Sequence, residues 1–532
     1  MPINDTIAKY LSKLLRGIKG TIVHFFIMSV IYGAIGKGIC FLITVFGKDI
    51  SIARRKEIES LVRNKGHKIF EIPELRTYAI IFFSVYVVVF LLTLIGTIRA
   101  KKIYKRAAGN KYQTFGKARF SELDEVLKQG LKGPGIVLGK IKSKLITKPP
   151  SVEGHTLVVG GTGTGKSRGV VIPSLLLWEG STVVIDIKGE ISKITKEVRK
   201  RKGNMVYVFN PESENGDCYD PIKLCGTVDA AQELARTLIP IPEKGETFWV
   251  QSAQAILSAF VFEGALKGYK LSDIAEKICT TPINDLVNYC RNHETREVRL
   301  LCSIAYDMPE KTLGGVMSEL KSKLITIATD KNIRRSTRKS DWTPESLEKG
   351  ASIYLRVSEH MLEQYRDLWT VIINQILRHL SEREERKNPP ILIALDELPR
   401  LGEIKGLTSA LATLRSRNVH ILSIIQSMAQ LDEVYNENQR KIIADNCRFK
   451  LVLSATDPET QKYFSDLAGQ RTAMARGVTI GAGFVPNMSK HEQGTQLIRP
   501  EEWANLEKPV LFAPKLDPVR VKLAFWDKEN FV

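Results

Sequence analysis

The chain contains 532 residues with a formal net charge of +20, and this length suggests about three domains rather than one. Residues 1–120 hold 21 Lys and Arg against 6 Asp and Glu, whereas the remaining 412 residues carry a net charge of only +5. This distribution favours a membrane-surface flank over a DNA-binding globule, although it also suits an anionic polymer as partner. The seven cysteines form no C-x-x-C pair and the eight histidines do not cluster. Neither a zinc site nor a disulfide framework is therefore predicted.

Residues 1–109 are predicted to form a membrane region with two transmembrane helices. Residues 77–98 carry no charge, and a helix of this length crosses about 30 Å of hydrocarbon. Residues 21–47 are also apolar but include Lys37, which is costly in mid-bilayer unless it snorkels or is paired. Either stretch could instead be a buried helix of a soluble domain. A cleaved signal peptide is disfavoured, because the apolar part is too long and no cleavage site stands out.

Two spans would place both ends of this region on the same side of the membrane. Basic residues precede the first span and follow the second, which favours a cytoplasmic N-terminus. The loop 48–76 opposes this assignment, because it carries eight Lys and Arg against five acidic residues. A nucleotide-binding motif further along the chain decides the orientation, since ATP is cytoplasmic. Most of the chain is then cytosolic and reduced, and the loop is a short extracytoplasmic segment.

Residues 110–228 and 341–532 are predicted to be two parts of one α/β domain with a RecA-like P-loop sheet. The predicted strands are mostly continuous apolar runs, as expected for parallel strands buried on both faces. They cover residues 156–160, 182–187, 205–209, 353–357, 391–396, 420–426 and 449–454. Residues 510–513 and 519–526 are predicted to form a C-terminal hairpin.

A P-loop follows the first of these strands and matches G-x-x-x-x-G-K-[ST] at every fixed position. Its residues are Gly160, Gly161, Thr162, Gly163, Thr164, Gly165, Lys166 and Ser167. In this motif backbone N–H groups cradle the α- and β-phosphates, Lys166 reaches the β- and γ-phosphates, and Ser167 binds Mg²⁺. A chance glycine-rich turn is the alternative, but the preceding strand and a following helix over 167–178 favour ATP binding. Pro173 is predicted to kink or shorten that helix.

Residues 229–340 show no strand pattern and are predicted to form an all-α domain inserted between two strands of the sheet. Apolar residues recur there at the spacing of one helix face. They are Trp249, Ala253, Ile256, Leu257, Phe260 and Val261.

Asp396 and Glu397 follow the apolar run 391–395, where the strand reaches the carboxyl edge of the sheet. Asp396 is predicted to hold Mg²⁺, and Glu397 to polarise the water that attacks the γ-phosphate. An acidic helix cap is the alternative, but it is disfavoured by the P-loop upstream. Asp186, at the end of another apolar run, is either a further acidic support for the site or, slightly favoured, a helix cap.

Gln426 ends the run 420–425, where its amide could contact the γ-phosphate or the attacking water, or be an ordinary loop residue. Arg415 and Arg417 lie just before that run. An arginine there is more commonly a solvent-exposed residue at the end of a helix. It could also act as an arginine finger on a neighbouring subunit's ATP.

Several segments resemble motifs of type IV coupling proteins of the TraG/TraD type, the ATPases of conjugation and type IV secretion. The matching segments are residues 116–120, 135–139, 184–190, 248–253, 395–402, 425–427 and 456–460. The last three read L-D-E-L-P-R-L-G, I-Q-S and T-D-P-E-T, and a generic ATPase would not carry them in this order. The resemblance covers nearly the whole chain.

This resemblance implies a multi-pass homo-hexamer in the bacterial inner membrane, whose cytoplasmic ATPase domains form a ring and use ATP and Mg²⁺. It implies that Arg415, eleven residues before Gln426, is the trans-acting arginine, with Arg417 as the weaker candidate. The implied partners are inner-membrane components of the secretion channel and a cargo. That cargo is a relaxosome, in which a relaxase is bound to single-stranded DNA, or protein effectors, or both.

Two other functions fit part of the pattern. An FtsK-like translocase of double-stranded DNA shares the anchor and the ATP motifs, but it normally adds a long linker and a winged-helix DNA reader that are not found here. A non-hydrolytic docking hub would not need Lys166, Asp396 and Glu397 to be intact. No extended acidic tail follows the C-terminal hairpin, so cargo contact is expected on the helical domain.

Overall fold

The computed structural model describes residues 51–64, 84, 115–242, 247–480 and 486–531. It divides into two compact units, Met1–Tyr112 and Gln113–Val532. The first unit contains helix α1 (Ile52–Asn64). Apart from Ser84, the predicted spans 21–47 and 77–98 lie outside the described residues. None of the helices in the described ranges is both long and apolar enough to cross a membrane.

The second unit is built around a nine-stranded sheet. A separate antiparallel hairpin, β1 (Ile136–Ile141) with β2 (Lys144–Lys148), precedes it in the chain. The sheet strands are β3 (Thr156–Val159), β4 (Ser181–Asp186), β5 (Met205–Phe209), β6 (Ala351–Arg356), β7 (Ile391–Leu395), β8 (Val419–Ile425), β9 (Phe449–Val452), β12 (Val510–Phe512) and β13 (Val519–Arg520). A second separate hairpin pairs β10 (Gln470–Ile480) with β11 (Pro486–Gln496).

The strand order is β13-β12-β9-β3-β8-β7-β4-β6-β5. All pairs from β9 to β5 are parallel, and only β12 and β13 are antiparallel to their neighbours. The predicted parallel strands are confirmed to within about two residues at each end. Neither the β1–β2 nor the β10–β11 hairpin was predicted. Strand β8 lies between β3 and β7, so one strand separates the P-loop from the acidic strand end.

The sheet is covered on both faces. Along β3, Leu157 and Val159 pack into one hydrophobic core and Val158 into the other. Because successive strand residues point to opposite faces, burial on both sides requires continuous apolar runs. One face is covered by α3 (Ile172–Leu177), α4 (Glu190–Arg201) and the β1–β2 hairpin.

The remaining helices are mostly on the other face. They are α5 (Val228–Leu238), α6 (Phe248–Lys267), α7 (Leu271–Thr280), α8 (Ile283–Arg291), α9 (Arg296–Leu301), α10 (Glu310–Thr329), α11 (Lys331–Ser336), α12 (Arg366–Ser381), α13 (Leu407–Thr413), α14 (Met428–Val434), α15 (Glu437–Asn446) and α16 (Pro458–Ala468). A short helix α2 (Leu123–Lys128) precedes β1. Between β5 and β6 the described residues form helices and no strand, and β5 pairs directly with β6.

The C-terminal hairpin is shorter than predicted. Only Val519 and Arg520 pair with β12, and the predicted second arm over 519–526 is wrong beyond residue 520. The following residues turn toward the P-loop instead, because Leu523 packs on Gly169 and Phe525 on Gly165. Between β13 and these glycine contacts, Lys522 forms a single antiparallel bridge with Lys140 of β1.

Candidate nucleotide site

The P-loop joins the end of β3 to the following helix at the carboxyl edge of the sheet. The Gly160 N–H donates to the Ile425 carbonyl at 3.2 Å, which fixes the start of the loop beside the end of β8. Gly163 and Gly165 have φ angles of +78° and +86°, a region that L-residues with side chains rarely adopt. The Gly161 N–H donates to the Ser454 hydroxyl at 3.2 Å.

Lys166 lies folded over its own loop. Its Nζ donates to the carbonyls of Gly160 and Gly161 at 2.5 and 2.9 Å. Burial lowers the pKa of Lys166, while the charges of Glu397 and Asp396 oppose that shift. The ammonium group is thus held at the loop by backbone oxygens and faces two carboxylates.

The helix after the loop is irregular next to Pro173, as predicted. Ser167–Val171 forms a π-helical turn, and α3 then starts at Ile172 with Pro173 in its first turn. The backbone stays helical across this junction, because Val171 and Ile172 have α-helical φ and ψ angles and the Ile172 N–H donates to the Ser167 carbonyl. The irregularity before the proline is therefore a π-helical turn and not a break in the helix.

Asp396 meets the P-loop from the end of β7. The Ser167 hydroxyl donates to its two carboxylate oxygens at 3.3 and 3.4 Å. Burial, together with the nearby charges of Glu397 and Asp186, raises the pKa of Asp396 to about 6. The structure therefore brings together the two residues predicted as Mg²⁺ ligands, although they are 229 residues apart in the chain.

Glu397 is held in an unusual conformation. Its φ and ψ angles are 59° and 54°, the left-handed region that is strained for this residue type. Arg400 Nη1 donates to Glu397 Oε2 at 3.0 Å, and its Nη2 donates to Glu359 Oε1 at 2.5 Å. Arg400 had no predicted role. Its signals in the sequence were its place in the L-D-E-L-P-R-L-G motif and its position three residues after Glu397.

Asp186 caps a helix. Its carboxylate accepts from the backbone N–H groups of Ser192 at 2.7 Å and Ile191 at 3.4 Å, at the start of α4. This agrees with the favoured interpretation. The carboxylate is buried and still acts electrostatically on Asp396. Gln426 directly follows β8, and the bond from Gly160 to Ile425 places it beside the P-loop.

Arg415 and Arg417 lie at the opposite edge of the sheet, in a 3₁₀ turn (Leu414–Arg417) just before β8. Strand β8 has seven residues, about 20 Å at roughly 3.3 Å per residue. That length separates Arg415 from the P-loop of its own chain by more than a side chain can span. Arg415 is exposed and Arg417 half-buried.

A cavity of about 460 Å³ lies at this amino edge, lined by Arg386, Arg415, Asn418, His420 and Glu153 among others. The Arg386 side chain is 86% exposed, and its ion pair with Glu153 is long at 3.9 Å. The amino edge thus presents cationic side chains, whereas the carboxyl edge presents the P-loop and carboxylates.

The sequence model of a family described as Type IV secretory system Conjugative DNA transfer matches residues 96–532. The protein VirD4 of Rhizobium radiobacter is 27% identical over 413 residues, which cover 73% of this chain and 60% of that protein. The conjugal transfer protein TraG of Escherichia coli is 27% identical over 401 residues, which cover 67% of this chain and 62% of that protein. The alignments therefore span 60–62% of these relatives' own length.

Solved structures of the plasmid coupling protein TrwB have the same fold. The unbound form of TrwBΔN70 superposes with a TM-score of 0.63 at 17% identity, covering 79% of this chain and 96% of that chain. TrwB in complex with ADP and Mg²⁺ has a TM-score of 0.61 at 18% identity, covering 79% and 97%. The predicted α/β fold is thereby confirmed.

Proposed function

Since this chain belongs to the type IV secretory system conjugative DNA transfer family, we propose that it is a coupling ATPase that drives or licenses cargo transfer through a type IV secretion system. The observation that carries the proposal is the contact of Ser167 with Asp396 at 3.3 Å. This contact joins the P-loop to an acidic strand end, and a hydrolysing site needs both.

The residues at this edge fit ATP and Mg²⁺. A loop of glycines and threonines leaves its backbone N–H groups accessible to phosphate oxygens. The hydroxyl of Ser167 and the carboxylate of Asp396 are the oxygen ligands that Mg²⁺ prefers, and two protein ligands suffice because phosphates and water complete its shell. When bound, Mg²⁺ neutralises charge on the β- and γ-phosphates.

The side chains around this site have separate tasks in the proposed hydrolysis. Lys166 leaves the carbonyls of Gly160 and Gly161 and binds the β- and γ-phosphates, where it stabilises charge that develops during transfer. Glu397 polarises the attacking water, and Gln426, beside the loop, contacts that water or the γ-phosphate.

Arg415 completes the site of a second copy of the chain. It is exposed and lies about a strand length from its own P-loop, so its guanidinium can reach only another subunit's phosphates. A ring supplies that geometry, because a head-to-tail interface brings unlike edges of neighbouring subunits together. We therefore propose that the chain forms a homo-hexamer in which Arg415 of each subunit acts as an arginine finger on the ATP of its neighbour.

The proposed location is the bacterial inner membrane, with residues 21–47 and 77–98 as spans and the ATPase on the cytoplasmic face. The proposed partners are channel components of the secretion system and a cargo, a relaxase–single-stranded DNA complex or protein effectors. The inserted helical domain, residues 229–340, is the proposed surface for cargo contact. The uncharged stretch 77–98 and the basic flanks support the anchor.

Two variants test this function. Lys166→Ala and Glu397→Gln are each expected to abolish DNA-stimulated ATP hydrolysis and cargo transfer between cells. Transfer at the full rate by either variant contradicts a motor. Loss of transfer with hydrolysis retained contradicts the assignment of the site.

A further inference from the structure

The C-terminal segment after β13 packs on the start of the P-loop helix. The Trp526 N–H donates to the Arg168 carbonyl at 3.2 Å. Phe525 approaches the P-loop so closely that a Cβ on Gly165 would lie 2.9 Å from its Cε1 atom. A side chain at residue 165 would therefore displace this segment, which makes Gly165 necessary for packing as well as for its backbone conformation.

The Arg168 side chain is held by this segment on one side and is exposed to solvent on the other. Its Nε donates to Asp527 Oδ1 at 2.8 Å, and its Nη2 donates to Asp527 Oδ2. Its guanidinium carbon lies 4.7 Å from the centroid of the Phe525 ring. The hydrogen bond from Arg168 lowers the pKa of Asp527, which therefore stays ionised at neutral pH.

One face of this guanidinium remains available to a ligand. Asp527 engages one edge of the group and Phe525 covers one face, yet the side chain is 48% exposed. A guanidinium fixed by a bidentate carboxylate and an aromatic ring keeps little rotational freedom. The opposite face is thus a flat, pre-oriented cationic surface beside the P-loop.

The position of Arg168 along the motif determines what approaches this face. Lys166 reaches toward the β- and γ-phosphates, so the helix residues just after it border the α-phosphate end. The ribose and base extend from the α-phosphate, and therefore leave the loop on the side of Arg168. Guanidinium planes stack on nucleobases.

We propose that Arg168, held flat by Asp527 and Phe525, is the stacking platform for the nucleobase of the bound nucleotide. This inference rests on the proposed ATP site and adds the element that binds its base. The flat guanidinium face makes more contact with a purine ring than with a smaller pyrimidine ring. It makes no hydrogen bonds to the polar edge of the base, so it does not distinguish adenine from guanine. ATP and GTP should therefore bind with similar affinity, and CTP more weakly.

Binding of ATP and of inorganic tripolyphosphate to the full chain, both with Mg²⁺, tests the platform. Arg168→Lys keeps the charge but removes the plane, so it is expected to weaken ATP binding about ten-fold, in the range measured for base stacking. Tripolyphosphate has no base, and its affinity should not change. Asp527→Asn loosens the clamp and should weaken ATP binding by a smaller factor, again without affecting tripolyphosphate.

Arg520 provides a matched control, because its guanidinium lies 4.2 Å from the centroid of the Phe120 ring, on the edge strand β13 three strands from β3. Arg520→Lys should change neither affinity. Unchanged ATP binding by Arg168→Lys, or equal weakening of both ligands, overturns the platform. Failure of the proposed function looks different, because Lys166→Ala would then retain its affinity for both ATP and tripolyphosphate.

Discussion

The two edges of the central sheet carry opposite kinds of polar group. At the carboxyl edge, the P-loop, Asp396 and Glu397 form a compact site in which Ser167 bonds to Asp396 and Arg400 bonds to Glu397. At the amino edge, Arg415 and Arg386 line an open cavity, and the ion pair of Arg386 with Glu153 is long. Burial is also different, because Asp396 is half-buried whereas Arg415 is exposed.

This difference shows which parts of the ATPase are complete within one chain. Binding of the phosphates and the metal requires only residues that already converge at the carboxyl edge. The cation proposed to stabilise the transition state lies about a strand length away, and is available only to a second copy. Assembly is therefore expected to control hydrolysis without controlling nucleotide binding.

The largest expected effect is at the carboxyl edge. Lys166→Ala should abolish ATP hydrolysis, a loss of more than about 10³-fold, because it removes a positive charge from the transferring phosphoryl group. Steady-state phosphate release measures this. Lys132→Ala, at an exposed lysine of the same unit, is the control and should hydrolyse normally. Comparable losses in both variants would show that the effect is not local to the P-loop.

Arg415→Ala sharpens the comparison between the edges. Hydrolysis by the assembled protein should fall by roughly 10³-fold, as for other arginine fingers, while the dissociation constant for ATP of the isolated chain stays constant. Arg386→Ala removes a positive charge from the same cavity and should have a much smaller effect. Weaker ATP binding by the isolated Arg415→Ala chain would place this arginine in its own site and contradict the trans arrangement.

Arg400 is expected to have an intermediate effect as a positioning residue for Glu397. Arg400→Ala frees the carboxylate from its contact at 3.0 Å, so kcat should fall about ten-fold with KM nearly unchanged. The dissociation constant for ATP should stay that of the wild type, since the group being oriented acts on the attacking water and not on nucleotide binding. Weaker ATP binding by Arg400→Ala would assign Arg400 a different role.

The smallest expected effect concerns the stability of the amino edge. Burial lowers the pKa of Lys148 to about 7, and its Nζ lies 2.8 Å from His420 Nδ1. Between this pKa and the ordinary value of 10.5, the unfolded chain binds a proton that the folded chain does not. The free energy of unfolding should therefore rise with pH in this window, by roughly 1–2 kcal/mol between pH 7 and 9.

Lys148→Met isolates this contribution, because methionine fills a similar volume and cannot titrate. Urea unfolding at pH 7 and pH 9 should show a smaller rise in the variant than in the wild type. An identical rise in both proteins would mean that other groups cause the pH dependence.

The sequence predicted the carboxyl edge well, because its signals are local. A P-loop, or an acid pair after an apolar run, can be identified from about ten consecutive residues. Parallel strands then bring their carboxyl ends to one edge of the sheet. In the structure, the strand order places Asp396 next to Ser167. The fold class followed from the same apolar runs.

The remaining features depend on contacts between distant parts of the chain. Phe525 packs on Gly165 although 360 residues separate them, and Arg400 after β7 bonds to Glu359 after β6 although β4 lies between these strands. Nothing in the local pattern distinguishes such a phenylalanine or arginine from an ordinary surface residue. The C-terminal residues were accordingly predicted as a strand, since 519–526 alternate well enough to pair.

Mixing two inactive variants tests most directly whether the carboxyl edge of one subunit is completed by the amino edge of another. An Arg415→Ala chain keeps an intact P-loop, and a Lys166→Ala chain keeps an intact arginine. Where the two are neighbours in that order, one functional site is restored. Random assembly of equal amounts places about a quarter of the interfaces in this arrangement. The mixture should therefore regain measurable ATP hydrolysis that neither variant shows alone. A mixture as inactive as its components, with assembly verified, would contradict a site shared between subunits.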